Sequence, residues 1–351
     1  MEAPINNPLL KRLTVASITE ESPGFKTLVF DEAPSNRIHF KAGQYLTFIH
    51  DFNGIEIRRS YSITSSPILD EPLTVGVKRI ENGIFSRFLI DKLQPGDVLE
   101  TIGAAGLFTL PQNIQDYQQI FFFAAGSGIT PVYSILKTVL HQHLGIHIVL
   151  IYSNHSPDHT AFLQELKHLQ QQFSNRLHIE FLFSTDKNFY RAHLHRDLIF
   201  NLIYQYKIAL LPQVLAYVCG PLNYMRMCIF TLQELGIPSE NIKKENFSTQ
   251  KTTAVAEPPD KQTYNAHIYF AGRTYTITVQ YPDTILKAAK KAGIALPYSC
   301  EAGKCGNCTM RCTQGNVWLS YNEVLTEKDL KQGLVLTCVG HPVFGDVELH
   351  A

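Results

Sequence analysis

Residues 298–310 read YSCEAGKCGNCTM, which puts Cys300, Cys305 and Cys308 on one short loop; Cys338 follows after 29 further residues. Three thiolates on a tight loop can face one point only if the backbone between them is small and permissive, and Gly303 and Gly306 supply that freedom. The spacing C-x4-C-x2-C with a distant fourth cysteine is that of a plant-type [2Fe–2S] site. Backbone amides of such a loop can also bond to the cluster sulfurs and tune their potential. A structural zinc site usually pairs two short C-x2-C knuckles, and only one is present here. Cys312 lies four residues past Cys308 and could compete as a ligand, although the pattern is complete without it. Cys228 is expected on a helix as a small apolar side chain.

Upstream of the hairpin and helix that lead into this loop, residues 248–262 read STQKTTAVAEPPDKQ. They are polar, carry Pro258-Pro259 and show no apolar periodicity, as an interdomain linker does. Before them, from about residue 113, apolar strands alternate with helical segments, the pattern of a parallel, doubly wound α/β sheet. One turn of this region, Gly126-Ser127-Gly128-Ile129-Thr130-Pro131, follows the apolar run 120–124 and opens a helix, as a phosphate-binding turn should. Pro131 is expected at the first helical position. Cys219-Gly220-Pro221 ends the last apolar strand. Ligands bind beyond the carboxyl ends of parallel strands, so both turns are expected to face one crevice.

Earlier still, the chain is strand-rich, with turn signals at Pro23-Gly24, Asn53-Gly54 and Pro95-Gly96 and one helix expected over residues 86–93. This fits a small antiparallel β-barrel. Arg59-Ser60-Tyr61-Ser62 ends one of its strands. An arginine can fork onto phosphate, and a tyrosine ring can stack on a flat heterocycle. Val77-Lys78-Arg79 and Gly83-Ile84-Phe85-Ser86 add a glycine turn opening a helix whose amides could hold a pyrophosphate. Together these segments point to a bound flavin.

Composition narrows the function. With 351 residues, 45% hydrophobic and 18% charged, the chain has ordinary globular composition and length for two or three domains. Its formal net charge is zero, so no basic excess is present to neutralise nucleic-acid phosphates. The apolar stretch 120–140 is long enough for a membrane span, but Gly126, Gly128 and Pro131 interrupt it, and a buried strand, a turn and a helix are expected instead. The seven cysteines are an odd number and the first thirteen residues lack an apolar signal core, which argues for a reducing, cytoplasmic setting.

Taken as a set, these residues resemble the reductase components of multicomponent oxygenases within the ferredoxin–NADP reductase superfamily, most of all the reductase subunits of phenylacetyl-CoA epoxidases. The resemblance covers roughly residues 9 to 351 apart from the linker. It implies an FAD-binding barrel over 9–112, an NAD(P)-binding domain over 113–247, the linker, and an α+β ferredoxin domain of β-grasp type over 263–351. It implies that Arg59, Tyr61 and Ser62 hold the flavin ring and phosphates, with Val77, Lys78, Gly83 and Ser86 completing the FAD site. Gly126, Gly128, Thr130 and Pro131 would bind the dinucleotide; Cys219, Gly220 and Pro221 would lie near the nicotinamide. Glu245-Asn246-Phe247 resembles the segment whose aromatic residue shields the flavin, and Ser62 or Glu245 would poise its protonation. Cys300, Cys305, Cys308 and Cys338 would ligate the cluster.

Hydride carries two electrons and the cluster accepts one, so a flavin is the expected adapter between NADH or NADPH and the iron. The implied partner is an oxygenase in aromatic or phenylacetate catabolism, or another electron acceptor such as a hybrid-cluster protein; a redox-sensing module is the reading from another class. One position departs from the pattern. Many relatives carry Tyr-x-Asn-Arg where this chain reads Tyr152-Ser153-Asn154-His155. An arginine there could pair with the 2′-phosphate of NADPH, and a neutral histidine does so poorly.

Overall fold

The computed structural model describes residues 9–31, 37–142, 145–248 and 256–351. These fall into two compact units, one of residues 12–104 and 108–246, the other holding the remainder. The central part of the expected linker, residues 249–255, lies outside the described residues.

The first unit begins with β1 (Lys11–Ser22), β2 (Phe25–Asp31), β3 (Tyr45–Phe52), β4 (Ile55–Ser62), β5 (Thr74–Lys78), α1 (Ile84–Asp91) and β6 (Val98–Ala105). The six strands form one sheet in the order β4-β3-β6-β1-β2-β5. A bridge between Ile63 and Val75 joins its two ends and so closes the barrel. Asn53 and Gly54 both sit at positive φ, 58° and 82°, in the two-residue turn between β3 and β4. Such a turn matches the strand twist and needs residues that tolerate the left-handed region. Leu13, Leu28, Phe30, Leu46, Phe48, Ile63 and Val75 fill the interior together with Phe85 and Leu89 from α1. That helix starts two residues before the expected position, because Gly83 rather than Phe85 ends the extended segment.

The same unit continues as β7 (Gln119–Ala125), α2 (Ile129–Gln142), β8 (His147–Asn154), α3 (Leu163–Gln172), β9 (Leu177–Phe183), α4 (Phe189–Ala192), α5 (Arg196–Tyr206), β10 (Val214–Cys219), α6 (Leu222–Glu234) and β11 (Ile242–Glu245). The five strands are ordered β11-β10-β7-β8-β9, all parallel. The run QIFFFAA of β7 is apolar throughout because both faces are covered. Phe122 and Ala124 join the core under α2 and α3, while Phe121 and Phe123 join the core under α5 and α6. Each fully buried phenylalanine stabilises the fold by about 1.5–3 kcal/mol. The apolar stretch is thus strand, turn and helix. Among the described residues no helix is long and apolar enough to cross a membrane.

The second unit holds β12 (Tyr264–Phe270), β13 (Arg273–Val279), α7 (Ile285–Lys291), β14 (Thr309–Leu319), α8 (Glu327–Lys331), β15 (Leu334–Leu336) and β16 (Gly340–His350). Its sheet runs β13-β12-β16-β14-β15, with β12 parallel to β16 and the other neighbours antiparallel. α7 lays Ile285, Leu286, Ala288 and Ala289 onto this sheet, next to Cys308 and Cys338 in the same core. Thr284 caps α7 by accepting from the Lys287 amide at 3.2 Å, and Thr326 and Asp329 form a reciprocal capping box at α8. One helix is thus packed against a mixed sheet, the α+β class expected from the sequence.

Candidate functional site

In the parallel sheet, chain direction reverses its lateral progress between β7 and β10, and the crevice beyond the carboxyl ends of the strands opens there. Both turns singled out in the sequence lie at this point. Gly126 takes φ +54°, and residues 126–128 form one 3-10 turn. A Cβ on Gly128 would lie 2.1 Å from the Cys219 carbonyl oxygen, so the two turns are in backbone contact and only glycine fits. Thr130 holds the turn by donating to the Ser127 carbonyl at 2.9 Å. Two tyrosines brace the same place, Tyr152 fully buried and Tyr224 partly buried. Tyr152 donates to the Gly126 carbonyl at 3.2 Å and Tyr224 to the Ala124 carbonyl at 3.2 Å. Pro131 is the third residue of α2, not the first. No amide of the first helical turn has an intrahelical acceptor, so proline is tolerated there as well.

Barrel and sheet meet at this turn. Lys78 reaches within 3.3 Å of where a Gly126 Cβ would stand, and Gly76 approaches so closely that a Cβ there would meet Thr130 Cγ2 at 2.4 Å. Further along, Gly83 precedes α1 with no side-chain cap on the helix amides. Ser86 spends its hydroxyl within the loop, accepting from the Ile80 amide at 3.1 Å and donating to Gly83 O at 3.3 Å. It shapes this turn and leaves the first amides of α1 without a side-chain cap, as an anion-binding helix start requires. Val77 is fully buried. Arg59 is exposed, with Nη1 donating to Arg58 O at 2.7 Å. Tyr61 packs with Phe48 and Phe85 at ring distances of 6.2 and 6.1 Å, and its burial pushes the phenol pKa up.

Strand register brings three more residues together. Cys219 and Glu245 are paired neighbours at the ends of β10 and β11, and Ser62 from the barrel acts on Glu245. Ser62 Oγ and Glu245 Oε2 are both buried with no well-formed hydrogen bond among the described residues. Burial raises the Glu245 carboxyl from 4.5 to about 8, opposed only by Ser62. Glu245 is partly exposed as a residue while its Oε2 is closed off. Desolvation, and then the Glu245 charge, hold the Cys219 thiol well above its ordinary value, so it is a neutral SH. An unsatisfied buried polar atom costs about 1–3 kcal/mol, and a polar-edged heterocycle such as a flavin would satisfy both. The residues present therefore fit FAD. Pro221 precedes α6, and Phe247, just beyond β11, is 45% exposed.

At the end of β8, Ser153 Oγ and Asn154 Nδ2 are likewise buried without a well-formed hydrogen bond. The His155 ring is held by Ser184 Oγ at 3.0 Å. Arg191, at the end of the short helix after β9, is paired with Glu180.

In the second unit the cysteine loop takes φ +70° at Gly303 and +76° at Gly306. A Cβ on Gly303 would lie 2.8 Å from Tyr321 O. The thiols form two interacting pairs, Cys300 with Cys305 and Cys308 with Cys338. Among the described residues no three His, Cys, Asp or Glu side chains gather as ligands of one ion. Two irons bridged by sulfide need two thiolates each, which two pairs match. Amides already point at the sulfurs, Ala302 N to Cys300 Sγ at 3.4 Å and Asn307 N to Cys305 Sγ at 3.5 Å. Cys312 points elsewhere, donating to Gln314 O at 3.2 Å from β14.

Comparison with known proteins agrees with this geometry. Residues 12–110 match the oxidoreductase FAD-binding domain, 122–229 the oxidoreductase NAD-binding domain and 268–343 the 2Fe-2S iron-sulfur cluster binding domain. The chain is 32% identical over 349 residues to a subunit of the 1,2-phenylacetyl-CoA epoxidase of Escherichia coli K12, covering 95% of this chain and 96% of that one. It is 29% identical to the ferredoxin reductase component of 3-ketosteroid-9-alpha-monooxygenase from Rhodococcus rhodochrous, covering 94% of each. The fold is similar to that of phthalate dioxygenase reductase, with a TM-score of 0.60, 22% identity and coverage of 97% and 98%. The chain belongs to the ferredoxin–NADP reductase superfamily. It is an NAD(P)H-dependent oxidoreductase with FAD and [2Fe–2S] domains.

Proposed function

We propose that this chain is the reductase component of an oxygenase system, taking electrons from NAD(P)H and delivering them to a separate oxygenase in the cytoplasm. The similarity to an epoxidase component over nearly the whole chain favours aromatic or phenylacetate catabolism for that partner. The observation that carries the reading is the meeting of Ser62, Cys219 and Glu245 at the switch point of the sheet, with two buried polar atoms left unsatisfied. Bound FAD supplies what side chains cannot, accepting a hydride and releasing its electrons singly. The residues do the rest. Lys78 and the α1 amides beyond Gly83 neutralise pyrophosphate, while Arg59 and Tyr61 bind at the flavin end. Gly126, Gly128, Thr130 and Pro131 shape the dinucleotide turn; Gly220 and Pro221 let the nicotinamide approach. Glu245, protonated at neutral pH, holds a proton at Oε2 next to the Ser62 hydroxyl. Phe247 covers the site until the dinucleotide enters. Cys300, Cys305, Cys308 and Cys338 hold the cluster. With His155 at the adenosine end and Arg191 committed to Glu180, discrimination between NADH and NADPH is limited.

Cys305→Ser tests the assignment. The expected protein keeps FAD and NAD(P)H–ferricyanide turnover, but loses the visible absorption of the cluster together with cytochrome c reduction. Bound zinc without labile sulfide in the wild type would overturn the cluster reading. A wild type unable to reduce cytochrome c at all would favour a sensing role.

A further inference from the structure

A buried ion pair joins the barrel to the parallel sheet within the first unit, away from the crevice. Lys137, on α2, is 9% exposed, and its ammonium pairs with Glu71 in the loop between β4 and β5. Burial disfavours the charged lysine, and Glu71 opposes that. The lysine nitrogen also lies 4.6 Å from the centre of the Tyr133 ring. Two neutral contacts flank the pair. Ser134, on the same helix, donates to Ser65 O at 2.6 Å, and Thr138 shares a hydrogen bond with the Ser66 hydroxyl at 2.7 Å. Ser65, Ser66, Ser134 and Thr138 are all buried. Glu71 Oε2 also accepts from the Ser66 amide at 3.3 Å, which closes the loop on itself at the point of contact.

The segments joined here lead straight to the crevice. Ser65 and Ser66 follow, by way of Ile63 and Thr64, the run Arg59–Ser62 that ends β4. Ser134, Lys137 and Thr138 lie further along the helix that the turn at residues 126–128 opens. A buried ion pair is poor evidence for stability, because desolvation offsets the Coulombic gain and apolar residues of similar volume often serve as well. Directional bonds do supply a fixed register, which non-directional apolar contact does not. The close approach of Gly76 to Thr130 resists compression but not sliding. We propose that Glu71 and Lys137 are positioning residues for hydride transfer, holding the flavin-binding strand in register with the dinucleotide-binding helix. The assignment rests on the flavin and dinucleotide reading of the same crevice. A misplacement of about 1 Å between reacting groups costs on the order of a hundredfold in rate. The pair touches neither cofactor's proposed anchors, so it acts on the rate of transfer and not on affinity.

The test uses the full chain loaded with FAD and cluster, as wild type, Lys137→Met, Glu71→Gln and Lys137→Arg, with Gly128→Ala as a control for the crevice. Anaerobic rapid mixing with NADH follows the bleaching of the flavin, whose limiting rate, Kd for NADH and amplitude are separate quantities. Amide hydrogen exchange over residues 59–66 and 126–138 is measured on the same proteins. Lys137→Met and Glu71→Gln are expected to lower the limiting rate by about tenfold to a hundredfold. Their amplitude stays full, their Kd stays that of wild type, and exchange quickens in both segments. Lys137→Arg keeps the pair and the wild-type rate. Glu71→Gln preserves volume and decides the question if Lys137→Met does not fold. The proposal is overturned if the limiting rate is unchanged, or if exchange in the two segments is unaffected. It is equally overturned if amplitude falls while the remaining fraction reacts at the wild-type rate, which is a loss of stability alone, or if Kd rises with the rate intact. A wild-type Kd in Gly128→Ala sinks the dinucleotide reading of the crevice itself, a different result from all of these.

Discussion

Glu245 has the ionisation most altered by its surroundings among the site carboxyls, and its chemistry follows from that. Its carboxyl titrates at about 8 rather than 4.5 because burial disfavours the anion. Between those two values the folded chain holds a proton that the unfolded chain has released. The group's contribution to stability is therefore greatest below pH 4.5 and declines as pH rises toward 8. The same proton is the one available beside Ser62. In the FAD-loaded protein, the kcat for NAD(P)H–ferricyanide turnover is expected to fall as pH passes about 8. Glu245→Gln should remove that inflection and lower kcat at pH 7 by roughly a hundredfold, the low end for acid–base assistance. An unchanged pH profile in the variant would show that Glu245 does not supply the proton. Nothing at the residue scale announced this in the sequence. A glutamate in a polar segment carries no mark of burial, and the resemblance alone singled it out.

Elements were legible in proportion to how one-sided their environment is. The run at residues 120–124 could be read as a buried strand because both faces are apolar, and its glycine turn because only such a turn joins strand to helix there. β14 was not read at all. Most of its residues are exposed or half-buried, and it is held by its ladder with β16, so it shows no apolar alternation to find. β11 has four residues and one buried side chain; it is fixed by its parallel pairing with β10, a partner distant in sequence. α4 is a single turn capped by Asn188, shorter than any periodic signal. The contact between the two turns of the crevice gives the prediction at this scale. A methyl group on Gly128 would sit 2.1 Å from the Cys219 carbonyl, and both backbones are anchored in adjacent strands. Gly128→Ala is expected to keep FAD, seen by its absorbance, and to raise the KM for NAD(P)H more than tenfold. The overpacking cost is about 1–3 kcal/mol. A wild-type KM would show that the dinucleotide does not cross this turn.

For the whole molecule, the division of labour follows the division of cores. Barrel and parallel sheet have their own buried clusters within one unit, and the four cysteines proposed as cluster ligands lie in the other. A chain truncated after Ser248 is expected to fold, retain FAD and reduce ferricyanide with NAD(P)H at near wild-type rate, while losing cytochrome c reduction. If both activities vanish with FAD still bound, electron entry and exit are not separable in this way.

The sequence by itself determined the parts whose chemistry is local. Cysteine spacing depends on the reach of one loop, the glycines of residues 126–128 on one strand-to-helix turn, and the change from barrel to α/β rhythm on side-chain periodicity. Only the tertiary structure decided what depends on distant segments arriving together. The proton on Glu245 depends on its burial near Ser62, from a different domain of the chain, and beside Cys219, from a neighbouring strand. Arg191 is paired with Glu180, and Phe189 is left uncovered, because of how β9 and α4 pack. Burial and pairing set those properties, and neither is a property of a residue's neighbours in sequence.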